Sequence, residues 1–192
     1  MVRDIVDTNK PPSNFLKQAD DDYLATRLLF ICGAGFHGLA AYHSQQCLEK
    51  YIKAYTVQEA KKFIKTHDLE PLREMAANYN DYFSKGEVKK QLAEFNVYDQ
   101  VTRYGAESSY DPHHVKTDSM EIAGEWHLSG QHIKILDKLV YEIRSLLDFK
   151  KMNWPDTLKA ILEERKDIMF VATWRLPFPI KKVLIIGNEY YK

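Results

Sequence analysis

The sequence predicts an all-α protein, a five-helix up-and-down bundle over residues 14–149 that is followed by a small α/β extension over residues 150–192. Apolar residues recur at spacings of three and four through most of the first part, which is the helical period. The links between these stretches are mostly short, and short links favour antiparallel neighbours. Residues 1–13 are polar and proline-containing, and we expect a loose arm there.

Composition fits one globular domain with an appended piece. The chain has 192 residues, of which 45% are hydrophobic and 28% charged. Lysine plus arginine total 27 and aspartate plus glutamate total 27. This balance argues against binding of nucleic acid or acidic membrane through the net charge of the whole domain. The two cysteines cannot build a disulfide framework, and the start of the chain does not resemble a signal peptide. No stretch approaches the roughly 20 apolar residues of a membrane span. We expect a cytoplasmic protein without a membrane partner.

The first two helices are predicted over residues 14–31 and 36–57. Ser13 or Asn14 is the predicted N-cap of the first helix. This helix carries an apolar stripe that consists of Phe15, Ala19, Tyr23, Thr26 and Phe30. The second carries an apolar arc flanked by a polar stripe that includes His43, Gln46 and Lys50.

Three further helices are predicted. The third starts after Asp68 as N-cap and runs to about residue 83, because Pro71 then falls where its missing N–H has no helical partner anyway. The fourth covers about residues 87–104 and the fifth about residues 129–148. In the extension, two β-rich runs flank Pro177-Phe178-Pro179, a pattern typical of a hairpin.

A literal G-x-G-x-x-G motif occurs at residues 33–38. A dinucleotide site would need a strand before this motif, a helix after it, and an acidic residue ending the next strand. The apolar stripe instead reaches back at helical period through Tyr23 to Phe15, and no βαβ alternation surrounds the motif. The favoured interpretation is a glycine-rich turn between two helices.

Four ordered segments resemble the HEPN family, helical domains found beside minimal nucleotidyltransferases in prokaryotes. The first is an acidic opening element, residues 19–23, and the second, residues 43–54, is similar to the family's His-x-x-Gln-x-x-Glu-Lys-x-x-Lys-Ala helix. The third is Thr-His-Asp-Leu at residues 66–69. The fourth is Arg103-Tyr104, where Gly105 replaces the family's usual proline.

The resemblance implies a helical bundle that commonly pairs as a homodimer. Many members are metal-independent RNases that use an arginine and a histidine with four to six residues between them. Here Arg103 is followed at those spacings by no histidine, and the nearest, His113 and His114, lie beyond Pro112. Other members are associated with nucleotide binding or act as the partner subunit of a nucleotidyltransferase.

Several residues are candidates for a site, each with a structural alternative. His43, Gln46, Lys50 and Lys53 offer donors for phosphate or a base edge, or they tie neighbouring helix ends together. Arg103 with His113 or His114 could cleave RNA, since histidine titrates near neutrality and arginine does not, or Arg103 could cap helical carbonyls. His67 beside Asp68 is either a carboxylate-oriented base or part of a helix start.

These observations favour a nucleotide- or RNA-phosphate-binding helical protein that forms a homodimer or serves a nucleotidyltransferase. The alternatives are a toxin-like metal-independent RNase using Arg103 and His113 or His114, and a protein-interaction module that docks through residues 150–192. Neither a metal site nor a cofactor is expected, because Cys32 and Cys47 are isolated and His127 and His132 lie about 140° apart around a helix.

Overall fold

The computed structural model describes residues 5–33, 36–108, 128–148 and 187–190, with the backbone alone for 99–108. Within these ranges it is mostly helical, with one small sheet. Its elements are β1 (Ile5–Asp7), α1 (Ser13–Cys32), α2 (His37–Ala60), β2 (Lys62–Ile64), α3 (Leu69–Ala77), a 3-10 helix (Asp81–Ser84), α4 (Gly86–Ser108) and α5 (Gly130–Ser145). The all-α prediction is confirmed.

The arm predicted to be loose contains a strand. Residues Ile5–Asp7 pair antiparallel with Lys62–Ile64, with Ile5 opposite Ile64. The strand is also tied to α1, because the Phe15 and Phe63 rings meet edge to face at 5.1 Å. Helix α2 ends at Ala60, its C-cap Lys61 adopts the left-handed conformation, and residues 62–64 are then extended.

Helix α1 begins without the side-chain cap that the sequence suggested. Pro12 already has helical backbone angles, so Ser13 becomes the first helical residue and neither it nor Asn14 acts as N-cap. Proline fixes φ near the helical value, which explains the early start. At the other end, α1 runs through Leu28–Cys32 and closes at Gly33. The G-x-G-x-x-G motif therefore follows a helix, and the strand that dinucleotide binding requires is not there.

Helix α3 starts as predicted and ends earlier. The Asp68 carboxylate accepts from the Glu70 N–H (2.9 Å), which makes Asp68 the N-cap. The predicted extension to residue 83 is wrong, because α3 stops at Ala77 and a separate 3-10 turn follows. Asn80 separates the two: its backbone is extended, and its side chain accepts from the Tyr82 N–H (2.9 Å) to cap the second turn.

Helix α5 has the strongest local start signal. The Ser129 hydroxyl accepts from the His132 N–H (3.3 Å), and the His132 ring accepts from the Ser129 N–H (3.1 Å), which forms a capping box. The helix ends at Ser145, slightly before the predicted residue 148.

Antiparallel packing follows from the side-chain pairs between helices. Phe30 meets His37 near the turn between α1 and α2, while Asp20 meets Tyr51 far from it. On the fifth helix, Asp20 meets Arg144 and Arg27 meets Asp137, so α1 and α5 also run in opposite directions. Helix α2 packs against α1, α3, α4 and α5, and its residues 44–57 are buried except Lys50, which is partly exposed. It is the central rod of the bundle.

The predicted hairpin and most of the C-terminal extension lie outside the described residues. Of residues 150–192 the structure describes only 187–190. Asn188 in this short segment is buried against the bundle.

Candidate functional site

The polar stripe of α2 makes contacts in two directions, and this arrangement defines the candidate site. Because α2 is surrounded by other elements, the polar side chains on this stripe contact neighbouring residues even where they remain partly exposed to solvent. Those at one edge reach Asp22 on α1, and those at the other edge reach the segment that leads into α3.

The α1 edge carries His43, Asp22 and Lys50. His43 Nδ1 donates to Asp22 Oδ1 at 2.8 Å, and Lys50 Nζ donates to Asp22 Oδ2. The side chains of His43 and Lys50 keep 25% and 19% of their surface exposed, against 13% for Asp22. One carboxylate thus holds two donors side by side at a position that is mostly buried but still reached by solvent.

The α3 edge carries Glu49, Lys53 and His67. Lys53 Nζ donates to Glu49 Oε1 and to the Thr66 carbonyl, both at 2.7 Å, and His67 Nδ1 lies 3.0 Å from Glu49 Oε2. Glu49 and Lys53 are almost fully buried, whereas the His67 side chain is 49% exposed. The carboxylate beside His67 is therefore Glu49 rather than its sequence neighbour Asp68, which caps α3.

Gln46 lies between the two edges and is buried. Its amide donates to Gln45 Oε1 (2.7 Å) and to Glu49 Oε2 (3.3 Å), and Gln45 in turn donates to the His67 carbonyl (2.6 Å). Gln45 and Lys53 thus join α2 to the segment before α3, whereas Gln46 bonds to two side chains of α2 itself. His43 and Lys50 remain the accessible donors of the stripe.

The predicted RNase residues fall mostly outside what the structure describes. The backbone of Arg103 lies in α4, two turns beyond Asn96, but its side chain is not among those described. His113 and His114 lie outside the described residues. Asn96 marks the level of the α3 start on α4, because its amide oxygen accepts from the Leu69 N–H at 2.7 Å. Helix α4 continues from there past Arg103 to Ser108.

Sequence reasoning missed the acidic partners on α1. Asp20 and Asp22 were part of the opening element of the family resemblance, but neither was given a role. Asp22 holds His43 and Lys50, and Asp20 receives Tyr51 and a bidentate contact from Arg144 at 2.7 and 3.1 Å. An acidic run on one helix that faces a basic stripe on the next antiparallel helix is the signal that could have found them.

A second buried charge cluster joins α1 and α5. Asp137 accepts from the Tyr23 hydroxyl at 2.6 Å and from the Arg27 guanidinium, and all three side chains are buried. Burial raises the pKa of Asp137, and the nearby Arg27 cation opposes that rise. Burial likewise raises the pKa of Asp20, against the opposing charge of Arg144. Both clusters are bonded internally, which is typical of buried charges in a stable core.

The chemistry open to the α1 edge is binding through donors. A lysine ammonium has three N–H groups, so Lys50 has donor capacity beyond Asp22, whereas the second nitrogen of His43 donates only when the ring is protonated. Among the described residues, no three or more histidine, cysteine or carboxylate side chains are grouped as metal ligands would be. In the same ranges, no helix is long and apolar enough to cross a membrane.

By its fold, this protein is an antiparallel helical bundle with a polar stripe on its central helix. A family model described as HEPN domain matches residues 13–126, which is more than half of the chain. The chain therefore belongs to the HEPN domain family. The match covers α1 to α4 and ends before α5. Membership suggests an RNase or a nucleotide-related function. Neither a search of curated proteins nor a search of solved structures found a match.

Proposed function

We propose that this protein binds the phosphate group of a nucleotide or an RNA at the α1 edge, with His43 and Lys50 as the binding residues. The observation that carries the proposal is their convergence on one carboxylate, since Asp22 accepts hydrogen bonds from both. Two donors that meet one anionic group of the protein are suitably placed to share a second anion, because phosphate oxygens accept from the same donors as carboxylate oxygens.

Solvent exposure favours the α1 edge over the α3 edge as the binding site. His43 and Lys50 are partly open to solvent, whereas Lys53 is almost buried and is already bonded to Glu49 and the Thr66 carbonyl. A phosphate can reach the first pair without opening the bundle. His67 is exposed at the far edge and would meet only a ligand that extends across the stripe.

The charge balance of the edge predicts weak binding. Asp22 offsets the positive charge of Lys50, so an incoming phosphate gains attraction mainly from the donors rather than from net charge. A ligand with several phosphates or a second contact surface would then bind better than inorganic phosphate.

The test is a binding titration with a matched lysine control. ATP, GTP and a short RNA are titrated into the protein, and stabilisation is followed by thermal shift. Lys50→Gln is expected to weaken binding at least about tenfold, because it removes one charge-assisted hydrogen bond of about 1.5–3 kcal/mol. Lys90→Gln changes an exposed lysine on α4 in the same way and should leave binding unchanged. Stabilisation by none of the ligands would contradict the proposal.

Asp22→Asn tests whether the Asp22 carboxylate competes with the bound phosphate or is needed for phosphate binding. A phosphate held by His43 and Lys50 would lie about 5 Å from this carboxylate, so removing the negative charge should tighten binding about fivefold (about 1 kcal/mol). If Asp22 is needed mainly to orient His43, the same change weakens binding instead. Circular dichroism shows whether the variant is folded.

Metal-independent RNA cleavage is the second candidate, because membership of the family suggests an RNase as well as nucleotide-related function. We propose that Arg103, on the last turns of α4, would stabilise the charged transition state, with His113 or His114 as the proton carrier. Labelled RNA is incubated with the protein in EDTA and compared with Arg103→Ala. Equal cleavage by both proteins would attribute the activity to a contaminant.

Assembly is the last part of the proposal. We propose a homodimer or a complex with a separate nucleotidyltransferase, in which the helical bundle is the partner subunit and residues 150–192 add docking surface. Sedimentation of the purified chain tests the dimer. Co-purification with a nucleotidyltransferase encoded beside it tests the complex, and a monomer that captures no such partner would contradict both.

A further inference from the structure

The described C-terminal segment, Gly187–Tyr190, docks in a groove between α1 and α5. Asn188 is only 8% exposed, and its side-chain amide donates to the Tyr23 hydroxyl at 2.8 Å. Two residues later, the Tyr190 ring stacks on the Tyr141 ring of α5, with centroids 5.0 Å apart and planes inclined by 30°. The segment therefore makes one buried polar contact and one aromatic contact.

The groove presents a fixed acceptor to Asn188. The Tyr23 hydroxyl donates its proton to Asp137 Oδ1 at 2.6 Å, and Arg27 holds the other oxygen of the same carboxylate. With its proton committed to Asp137, the hydroxyl offers a lone pair outward. An amide N–H can donate to this buried acceptor and a side chain without a donor cannot, which makes the contact selective.

The segment has its own preformed shape. Asn188 Oδ1 accepts from the Tyr190 N–H at 3.1 Å, which closes a tight turn within the segment. Gly187 precedes the turn with φ +66°, a left-handed conformation that glycine adopts without strain. A segment folded by its own contacts loses less freedom when it docks.

Open space flanks the docked segment on both sides. A cleft of about 200 Å³ and another of about 240 Å³ adjoin it, and both are lined by Gly187 and Lys134. Glu189 faces the smaller cleft together with Lys134 and Lys138, so the charges of segment and groove are complementary. Among the described residues, the segment is held by a hydrogen bond, a ring stack and complementary charges, and separate contacts of this kind permit exchange.

We propose that the groove between α1 and α5 is a peptide-docking site that can hold the Gly187–Tyr190 segment of a second copy of this chain in place of its own. The 38 residues between Asp148 and Gly187 could span at most about 125 Å, against an expected radius of gyration of about 16 Å for a domain of this length. Chain connectivity therefore does not restrict the segment to its own groove. Reciprocal exchange would give a closed twofold dimer. The inference does not depend on phosphate binding.

Complementation between two full-length variants tests the exchange. Asn188→Ala with Tyr190→Ala disables the segment and keeps the groove, while Tyr23→Phe with Tyr141→Ala disables the groove and keeps the segment. Only a mixture of the two contains an intact groove and an intact segment on different copies. We expect the mixture to associate at least about tenfold more tightly than either variant alone, from one hydrogen bond and one ring stack. Equal association in all three samples, measured by sedimentation, would overturn the proposal.

A peptide titration keeps the proposal testable if the groove variant does not fold. A labelled peptide of residues 183–192 is titrated into the segment-disabled chain and followed by NMR. Binding is expected there and should be several-fold weaker to the wild-type chain, whose own segment competes at millimolar effective concentration. A peptide with Asn188→Ala is the control. If the native peptide does not bind, or if both peptides bind equally, a docking site that recognises Asn188 is refuted.

Discussion

Arg144→Met is the substitution whose effect the structure determines most directly. The Arg144 guanidinium donates to both oxygens of Asp20, at 2.7 and 3.1 Å, across the α1–α5 interface. The side chains keep only 10% and 2% of their surface exposed, so this ion pair is screened little by water. Methionine retains much of the packing of the arginine stem and removes the charge and the donors.

The expected loss follows from the carboxylate that the substitution leaves behind. Removing one partner of a buried pair typically costs about 3–5 kcal/mol, because the other charge remains buried without compensation. The Tyr51 hydroxyl still donates to Asp20, so we expect the lower end, about 3 kcal/mol of unfolding free energy. For a chain of this length, that loss lowers Tm by about 6–12 °C.

The loss should depend on pH with a defined sign. Burial raises the pKa of Asp20 above its usual 3.8, and Arg144 opposes that rise, so the variant raises this pKa further. A carboxyl with a raised folded-state pKa favours folding at low pH and loses that contribution as pH rises through the folded-state pKa. The deficit of the variant should therefore be largest at neutral pH and shrink towards pH 4.

Urea unfolding followed by circular dichroism measures the loss at several pH values. Lys90→Met, at an exposed lysine of α4, is the control and should change stability by less than about 0.5 kcal/mol. Asp20→Asn combined with Arg144→Met should cost less than the two single changes added together, because the pair is coupled. A loss below about 1 kcal/mol at neutral pH, or a deficit that grows on acidification, would refute this reasoning.

Three smaller effects are also expected. Gly33→Ala should destabilise by about 1–3 kcal/mol in urea unfolding, because Gly33 has φ +110° at the end of α1, whereas Gly38→Ala inside α2 should not destabilise. The pKa of Glu70 is lowered to about 2 by its hydrogen bond to an arginine on α3. The pair should therefore give a small, salt-sensitive stabilisation above about pH 4.5 that is lost towards pH 2. This pH dependence should be absent in Glu70→Gln. In the native protein a thiol reagent should modify the exposed Cys32 and not Cys47, which is buried and whose pKa is raised by burial. In guanidinium both thiols should react. Rapid labelling of Cys47 in the native protein would contradict its burial.

The helices were predictable because their signals are local. The spacing of apolar residues, the Asp68 cap and the glycines after Cys32 all act within one or two turns of the backbone, so the sequence is enough to find them. The Asn80 break in the third helix was missed, although it is also local, because the apolar pattern continues across it. Strand β1 was missed because its partner lies more than fifty residues away in the chain.

The sequence alone determined the bundle, the family and the polar stripe on the second helix, since each depends on residue type and on spacing along one helix. The tertiary structure decided which of those polar residues are accessible. Lys50 and Lys53 are one turn apart and chemically identical, yet Lys50 stays partly exposed beside an aspartate on α1 and Lys53 is buried against a glutamate and a backbone carbonyl. Helical spacing fixes the direction in which a side chain leaves its helix, but only the packing of neighbouring elements fixes its partner there and how much water surrounds it.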